Sequence, residues 1–141
     1  MVLKARLPLV VLVDDSEEDN LFHSFVIEQY GLAEELHVEL TGERALSYLA
    51  SRGTTTEATK PTLILLDINM PGISGWEFLE RYHALDARHR AQAVVVMLTT
   101  STDPHDRARA EALELRFFSK PLTAAAIDQV VQDLLPQFWD G

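Results

Sequence analysis

Residues Leu63–Gly75 read LILLDINMPGISG, an apolar run that ends in a charged residue and a turn. Four apolar residues in succession are typical of a strand in a parallel sheet that is covered on both faces. The run ends at Asp67, which is followed by the Met-Pro-Gly sequence of a turn. A carboxylate is costly to bury at the end of such a strand unless another group compensates its charge. Asp67 is therefore the first candidate for a functional residue.

Other short runs of the chain have the same strand character. They are Leu9–Val13, Ala93–Leu98 and, more weakly, Leu36–Leu40. Arg116–Ser119 is too short to assign from its pattern, but it lies between two predicted helices and is interpreted as a fifth strand. The alternation predicts a (βα)5 chain. Parallel strands joined by right-handed helical crossovers form a doubly wound, three-layer α/β sandwich with a five-stranded parallel sheet.

Helical spacing of apolar residues marks the segments between these strands. The predicted apolar faces are Leu21, Phe22, Phe25 and Val26 in the first helix, Ala45, Leu46 and Leu49 in the second, Trp76, Phe78, Leu79 and Tyr82 in the third, and Ile127, Val130, Val131, Leu134 and Leu135 in the fifth. Gly31 is predicted to end the first helix, Asp103 with Pro104 to begin the fourth, and Thr123 to cap the fifth.

Composition limits the classes of function. The 141 residues contain 47% hydrophobic residues, which is enough for one core, so we expect a single domain over 1–141 with its core at about 9–135 and no output domain. The net charge of -10 argues against binding to nucleic acid or to an anionic membrane. Cysteine is absent, which excludes disulfides and thiolate metal sites and favours a cytoplasmic location.

Polar residues follow the predicted strands at the points where the strands end. Asp14 and Asp15 follow the first strand, Asp67 the third, Thr99 the fourth and Lys120 the fifth. In open parallel sheets, ligands bind at the carboxyl ends of the strands, where the strand order reverses. We therefore expect three carboxylates, a hydroxyl and an ammonium group to meet at one edge of the sheet.

Three neighbouring carboxylates repel one another and favour a bound cation. An all-oxygen cluster fits Mg²⁺ better than zinc. A weakly held Mg²⁺ among carboxylates commonly handles a phosphoryl group, so Asp67 is a candidate nucleophile that forms an aspartyl phosphate. Lys120 offers a positive charge to one phosphoryl oxygen, and the Thr99 hydroxyl can donate a hydrogen bond to another.

Four motifs, in order, resemble those of a known family. They are VDDSEEDN at 13–20, LLDINMPGISGWE at 65–77, MLTTS at 97–101 and FFSKP at 117–121. The chain resembles a single-domain, CheY-like response-regulator receiver domain, a bacterial class with the flavodoxin/CheY-like fold, from about Leu9 to Leu135. It shows a weaker likeness to the response regulators of bacterial phytochromes.

The resemblance implies roles for individual residues. Asp67 matches the phosphoacceptor, and Asp15 and Asp67 match the direct carboxylate ligands of Mg²⁺, with Asp14 acting through water. The backbone carbonyl of Asn69 matches the third protein ligand. Thr99 and Lys120 match the phosphate-sensing pair, and the Lys120–Pro121 peptide falls where the family has a cis bond.

The family's aromatic switch residue corresponds to Phe117, where many members have tyrosine. The resemblance implies that phosphorylation of Asp67 draws Thr99 and Lys120 towards the phosphoryl group. This movement biases the surface built from the fourth helix, the fifth strand and the fifth helix. The hydroxyl of the family's tyrosine is missing from this chain.

The function that the resemblance implies is two-component signalling. The protein would accept a phosphoryl group from a sensor histidine kinase, for which the weaker likeness implies the phytochrome type. It would act through contacts with an unknown downstream protein rather than as an enzyme. An interaction module that is independent of phosphorylation is one alternative. A haloacid-dehalogenase-like phosphatase is another, but it requires DxDx(T/V) where this chain has DDSEED.

Two aromatic residues, Phe138 and Trp139, lie beyond the last predicted helix. They either fold back onto the domain or form the contact of a homodimer, in which aromatic side chains anchor the partner. The sequence leaves both interpretations open.

Overall fold

The computed structural model describes residues 3–52, 60–85 and 93–140. Its elements are β1 (Leu7–Val13), α1 (Glu17–Tyr30), β2 (Ala33–Glu39), α2 (Gly42–Ser51), β3 (Thr62–Leu66), α3 (Gly75–His83), β4 (Ala93–Thr99), α4 (Pro104–Ala112), β5 (Arg116–Ser119) and α5 (Ala124–Leu134), followed by a 3₁₀ turn at Pro136–Phe138. None of the helices in these ranges is both long and apolar enough to cross a membrane.

All five strands form one parallel sheet in the order β2-β1-β3-β4-β5. The order reverses beside β1, so the crevice that this topology creates opens between the carboxyl ends of β1 and β3. The predicted doubly wound (βα)5 fold is confirmed. The β2 strand pairs only with β1 and lies at an edge of the sheet, which accounts for its weak apolar pattern.

Two apolar clusters cover the two faces of the sheet. Alternate strand residues such as Val11, Ile64 and Met97 pack with α2 and α3 on one face. Their neighbours in sequence, such as Val10 and Leu65, pack with α1 and α5 on the other. Successive side chains of a strand point to opposite faces, so a central strand between two helical layers needs an unbroken apolar run.

The caps predicted from the sequence are present. Gly31 ends α1 with a φ of 75°, in the left-handed region that glycine adopts without strain. The Asp103 side chain accepts the N–H of His105 at the start of α4, and the Thr123 side chain accepts the N–H of Ala126 at the start of α5. These hydrogen bonds satisfy backbone donors that the helix cannot pair internally.

The predicted apolar face of α1 is wrong for three of its four residues, whereas Val26 is partly buried and packs on the cluster beneath α1 and α5. The structure buries Asn20, His23 and Ile27 against the sheet, whereas the exposed fractions of Leu21, Phe22 and Phe25 are 76%, 49% and 58%. Two of the buried residues are polar, and both make hydrogen bonds inside the fold that a hydropathy pattern does not reveal. Leu21, Phe22 and Phe25 therefore face outward, while Ile27 shares the inner side of α1 with the two polar residues.

The C-terminal aromatic residues contact their own chain. The Lys4 N–H donates to the Phe138 carbonyl at 2.8 Å, and Leu3 forms an antiparallel bridge with Trp139. Both aromatic side chains are half-buried and pack on the cluster beneath α1 and α5. Folding back onto the domain is thus observed, while the predicted homodimer stays a prediction.

The start of α3 packs directly against the backbone at the end of β3. The Gly75 N–H donates to the Ile68 carbonyl at 2.8 Å. A Cβ atom on Gly75 would collide with the Asp67 carbonyl oxygen and lie 3.0 Å from the Ile68 Cα. Backbone atoms cannot rotate away as a side chain can, so this close approach requires glycine.

We expect the substitution Gly75→Ala to lower the free energy of unfolding by about 1–3 kcal/mol, the usual cost of overpacking. It should also shift the NMR signal of the Asp67 amide. Differential scanning calorimetry would measure the loss of stability, and ¹⁵N NMR spectra would measure the shift. The control is Gly31→Ala, which is strained by its positive φ but meets open space. Loss of stability without a shift at Asp67 would contradict the close approach.

Candidate functional site

Three carboxylates meet at the carboxyl edge of the sheet. Asp14 and Asp15 follow β1, Asp67 follows β3, and one oxygen of each lies within 4.8 Å of the other two. Asp14 and Asp67 are buried, whereas Asp15 is exposed to solvent. The sequence prediction that these three side chains converge is confirmed.

Backbone and side-chain donors fix Asp14 in place. Its N–H donates to the Glu39 carbonyl at 3.1 Å, and its carbonyl accepts a hydrogen bond from the side-chain amide of Asn20 at 2.8 Å. Its Oδ1 accepts the Ser16 N–H at 3.0 Å. The Ser16 hydroxyl caps α1 by accepting the N–H of Asp19. The first helix and the first carboxylate are therefore held by one set of hydrogen bonds.

Asp67 is held in a similar way, with its two carboxylate oxygens in different surroundings. Its N–H donates to the Val13 carbonyl at 3.0 Å, and its Oδ1 accepts the Ile68 N–H at 2.8 Å. Burial raises the pKa of the Asp67 carboxyl above its usual value, although the Thr99 hydroxyl and the Lys120 ammonium act in the opposite direction. Oδ2 lies 3.3 Å from Lys120 Nζ and faces the centre of the site.

Lys120 places its ammonium group among three carboxylates. Nζ lies 2.6 Å from Asp14 Oδ2, 2.8 Å from Asp19 Oδ2 and 3.3 Å from Asp67 Oδ2. Burial acts to lower the pKa of Lys120, but hydrogen bonds to Asp14 and Asp19 and the charge of Asp67 outweigh it and raise the pKa. The Lys120–Pro121 peptide is cis, as the family resemblance implies.

Thr99 lies at the end of β4 and is fully buried. Its Oγ1 accepts the Ser101 N–H at 3.2 Å, and its carbonyl accepts the Lys120 N–H at 3.0 Å. The strands β4 and β5 thereby deliver the hydroxyl and the ammonium to the same edge. The structure brings together Asp14, Asp15, Asp67, Thr99 and Lys120, as the sequence predicts.

Two further predicted residues are close in sequence to members of this group, Asn69 to Asp67 and Phe117 to Lys120. Asn69 is exposed in the turn after Asp67, where its carbonyl is two residues from the buried carboxylate. Phe117 is half-buried in β5 and packs on the cluster beneath α2 and α3. The Arg107 guanidinium lies 4.6 Å from the centroid of the Phe117 ring.

Sequence reasoning missed three residues of α1 that contribute to the site. Asn20 holds the backbone of Asp14, Asp19 contacts Lys120, and His23 accepts the N–H of Leu122. A signal was present, because Asp19 and His23 are four residues apart and so lie on one side of the helix. The strongly apolar residues beside them obscured it.

The donor set fits a hard divalent cation. All the clustered ligands are carboxylate oxygens, and Mg²⁺ prefers oxygen ligands with several positions left for water or phosphate. Two of the three carboxylates are buried, and the Lys120 ammonium lies beside both of them. A cation would relieve the remaining repulsion.

A family model for the response regulator receiver domain matches residues 10–132. Because this match covers most of the sequence, the chain belongs to the response regulator receiver domain family. Members of this family are signalling domains of two-component systems. The resemblance inferred from the four sequence motifs is confirmed.

Several related proteins have been described. The probable methanogenesis regulatory protein FilR2 of Methanothrix harundinacea is 30% identical over 146 residues, which cover 99% of this chain and 89% of that protein. A two-component response regulator from Cytophaga hutchinsonii has a TM-score of 0.83 at 30% identity, covering 94% of this chain and 99% of that one. The bacteriophytochrome response regulator AtBRR has a TM-score of 0.74 at 29% identity, covering 97% and 98%.

The raised pKa of Asp67 has a consequence for stability. A carboxyl whose pKa is higher in the folded chain destabilises the fold when ionised, and this cost disappears as the pH falls from the folded to the unfolded pKa. In metal-free protein at pH 7, we expect Asp67→Asn to unfold at a higher urea concentration than the wild type. The difference should shrink as the pH is lowered.

Asp103→Asn is the control of opposite sign. Hydrogen bonds from the backbone and side chain of His105 lower the pKa of the exposed Asp103. Its ionised form therefore stabilises the fold above the unfolded pKa, and this contribution is lost as the pH falls through the folded pKa. The variant should be slightly less stable than the wild type at pH 7. An Asp67→Asn variant that is also less stable at pH 7 would show that burial does not raise the pKa of Asp67 in the folded protein.

Proposed function

We propose that this protein accepts a phosphoryl group on Asp67 from a sensor histidine kinase, with Mg²⁺ held by Asp14, Asp15, Asp67 and the Asn69 carbonyl. The proposal rests on the arrangement of charged groups around Asp67. Three carboxylates lie within reach of one cation, and the Lys120 ammonium lies 3.3 Å from Oδ2 of Asp67, while the Ile68 N–H donates to Oδ1. Charge and nucleophile are thus arranged for phosphoryl transfer.

The two oxygens of Asp67 have different tasks in this proposal. Oδ1 is engaged by the Ile68 N–H, so Oδ2 attacks phosphorus. A bond forms between Oδ2 and phosphorus as the bond between phosphorus and the donor's histidine nitrogen breaks, and that nitrogen keeps the electron pair. Lys120 and the Thr99 hydroxyl stabilise the phosphoryl oxygens. Mg²⁺, when bound, offsets negative charge on these oxygens and on the carboxylates.

The output of the switch begins at Thr99. Its Oγ1 accepts the Ser101 N–H, and the Ser101 hydroxyl donates to Asp106 of α4 at 2.6 Å. The other oxygen of Asp106 accepts the Trp76 indole N–H at 3.0 Å. A movement of Thr99 towards a phosphoryl group would therefore reach α4 and, through the contact of Arg107 with the Phe117 ring, β5. We propose that a downstream protein binds the surface of α4, β5 and α5.

The alternatives have less support. A dehalogenase-like phosphatase requires an aspartate two residues after its nucleophile, but Ser16 stands two positions after Asp14 and Glu17 two positions after Asp15. A module independent of phosphorylation would have no use for the buried carboxylates, which cost free energy to retain. We place the protein in the cytoplasm as a non-enzymatic signalling component. The homodimer through Phe138 and Trp139 remains a prediction.

Incubation with acetyl phosphate and Mg²⁺ tests the phosphorylation directly. Intact-protein mass spectrometry should detect one added phosphoryl group on the wild type and none on Asp67→Asn. Asp103→Asn is the matched control, because it removes an exposed aspartate and asparagine still caps a helix well. Omission of Mg²⁺ should reduce the modification by at least about tenfold, the loss expected for an electrostatic contact in the transition state. Equal modification of Asp67→Asn would reject the proposal.

The exposed apolar residues of α1 are suited to receive the kinase. The helix starts at the edge that holds Asp67, and Leu21, Phe22 and Phe25 face outward along it. A phosphorylated histidine must approach Asp67 from this edge, so a partner that delivers it also passes α1. Similarity to a bacteriophytochrome response regulator supports a phytochrome-type kinase as the partner.

We expect Leu21→Ser and Phe25→Ser to reduce the rate of phosphotransfer from the cognate kinase by roughly 30-fold, the effect of losing an interface hot spot. Their rates with acetyl phosphate should not change, since this small donor needs no docking surface. Leu113→Ser removes a leucine that is 52% exposed beyond α4 and serves as the control. If both α1 variants retain wild-type kinase kinetics, the kinase docks elsewhere.

A further inference from the structure

Lys120 is fixed from two sides by residues of α1. Asp19 accepts a hydrogen bond from its ammonium group, and His23 accepts one from the backbone N–H of Leu122, two residues further on. We propose that Asp19 and His23 are positioning residues that together hold Lys120 against Asp67. The catalytic consequence of this inference rests on the proposed function, whereas its structural content does not.

The two residues act from one face of one helix. Asp19 and His23 are four residues apart, so their side chains lie on the same face of the helix, about one turn from each other. Asp19 Oδ2 lies 2.8 Å from Lys120 Nζ, and His23 Nε2 lies 3.2 Å from the Leu122 nitrogen. One contact restrains the tip of the lysine side chain and the other restrains the backbone that carries it.

Asp19 differs from the other carboxylates around Lys120. Asp14 and Asp67 also belong to the cluster that could hold a cation, whereas Asp19 does not. A divalent cation in that cluster would compete for two of the three carboxylates and would repel the ammonium group. Asp19 is the partner that keeps its full attraction for Lys120 under those conditions. It therefore retains the ammonium at the site.

The hydrogen bond at His23 defines the state of its ring. A backbone N–H can only donate, so Nε2 must be the accepting nitrogen of a neutral imidazole. Burial lowers the pKa of His23, and the nearby charge of Lys120 lowers it further, which agrees with a neutral ring. The side chain is 2% exposed, and a charged ring there would repel Lys120.

The helix that bears these residues is itself anchored. The Tyr30 hydroxyl donates to Asp128 of α5 at 2.5 Å, and the buried Ile27 packs in the cluster between α1 and the sheet. Asp19 and His23 are therefore presented from a fixed support. A positioning contact is effective only when its own support is rigid.

The test uses the full chain and four variants. Asp19→Asn removes the charge beside Lys120, and Glu18→Gln removes an equal charge from an exposed position in the same turn. His23→Leu removes the acceptor of the Leu122 N–H, and His23→Gln supplies an amide oxygen in its place. Circular dichroism establishes that each variant is folded.

Two measurements on metal-free protein report the positioning itself. The ¹³C relaxation order parameter of the Lys120 ε-methylene group should fall in Asp19→Asn and stay unchanged in Glu18→Gln. Hydrogen exchange of the Leu122 amide should accelerate by about fivefold in His23→Leu, the effect of one lost hydrogen bond, and return towards the wild-type rate in His23→Gln.

A third measurement reports the chemistry. The rate constant for phosphorylation by acetyl phosphate with Mg²⁺ should fall by about tenfold in Asp19→Asn, the effect expected for a lost charge-assisted hydrogen bond. It should fall less in His23→Leu, recover in His23→Gln, and stay within about twofold of the wild type in Glu18→Gln, as is usual for an exposed substitution.

The outcomes separate the two proposals. If the wild type is phosphorylated and Asp19→Asn matches Glu18→Gln in both relaxation and rate, the positioning role is wrong and the phosphoacceptor role stands. If the wild type takes no phosphoryl group, the proposed function fails, and the two metal-free measurements still decide whether α1 holds Lys120. Should His23→Leu not fold, the comparison of Asp19→Asn with Glu18→Gln decides.

Discussion

The Lys120 ammonium group lets two carboxylates remain buried at one edge of the sheet. Asp14 and Asp67 would repel each other and lose their hydration without it, and burial already raises the pKa of Asp67. Backbone N–H groups of Ser16 and Ile68 supply part of the compensation. The remaining negative charge is what makes the site suited to a divalent cation and to a phosphoryl group.

The parallel sheet brings these charged residues together at one edge. Parallel strands all end at one edge, so residues far apart in sequence meet there without long loops. The apolar layers on both faces fix the strands rigidly, and the glycine at position 75 lets α3 start against the backbone of Asp67. Small displacements of such packed elements are transmitted rather than absorbed, which suits a two-state switch.

The first helix combines two roles that a hydropathy pattern would assign to different elements. Its inner side carries Asn20 and His23, polar residues whose hydrogen bonds are made inside the protein. Its outer side carries Leu21 and Phe25, which in an ordinary amphipathic helix would be buried. The Phe22 and His23 rings are in edge contact at 5.7 Å between centroids, so the outer and inner sides touch.

The sequence by itself determined the (βα)5 order and the edge at which Asp14, Asp15, Asp67, Thr99 and Lys120 meet. Continuous apolar runs identify strands that are buried on both faces, and topology then places their ends together. The sequence could not determine that Leu21, Phe22 and Phe25 of α1 face outward. Nor could it determine that Asp19 and His23 contact Lys120 and Leu122. Those facts depend on contacts across about 100 residues of chain, such as the one between Asp19 and Lys120 with a separation of 101. A buried polar group is stable only with a partner, and only the tertiary structure brings that partner into place.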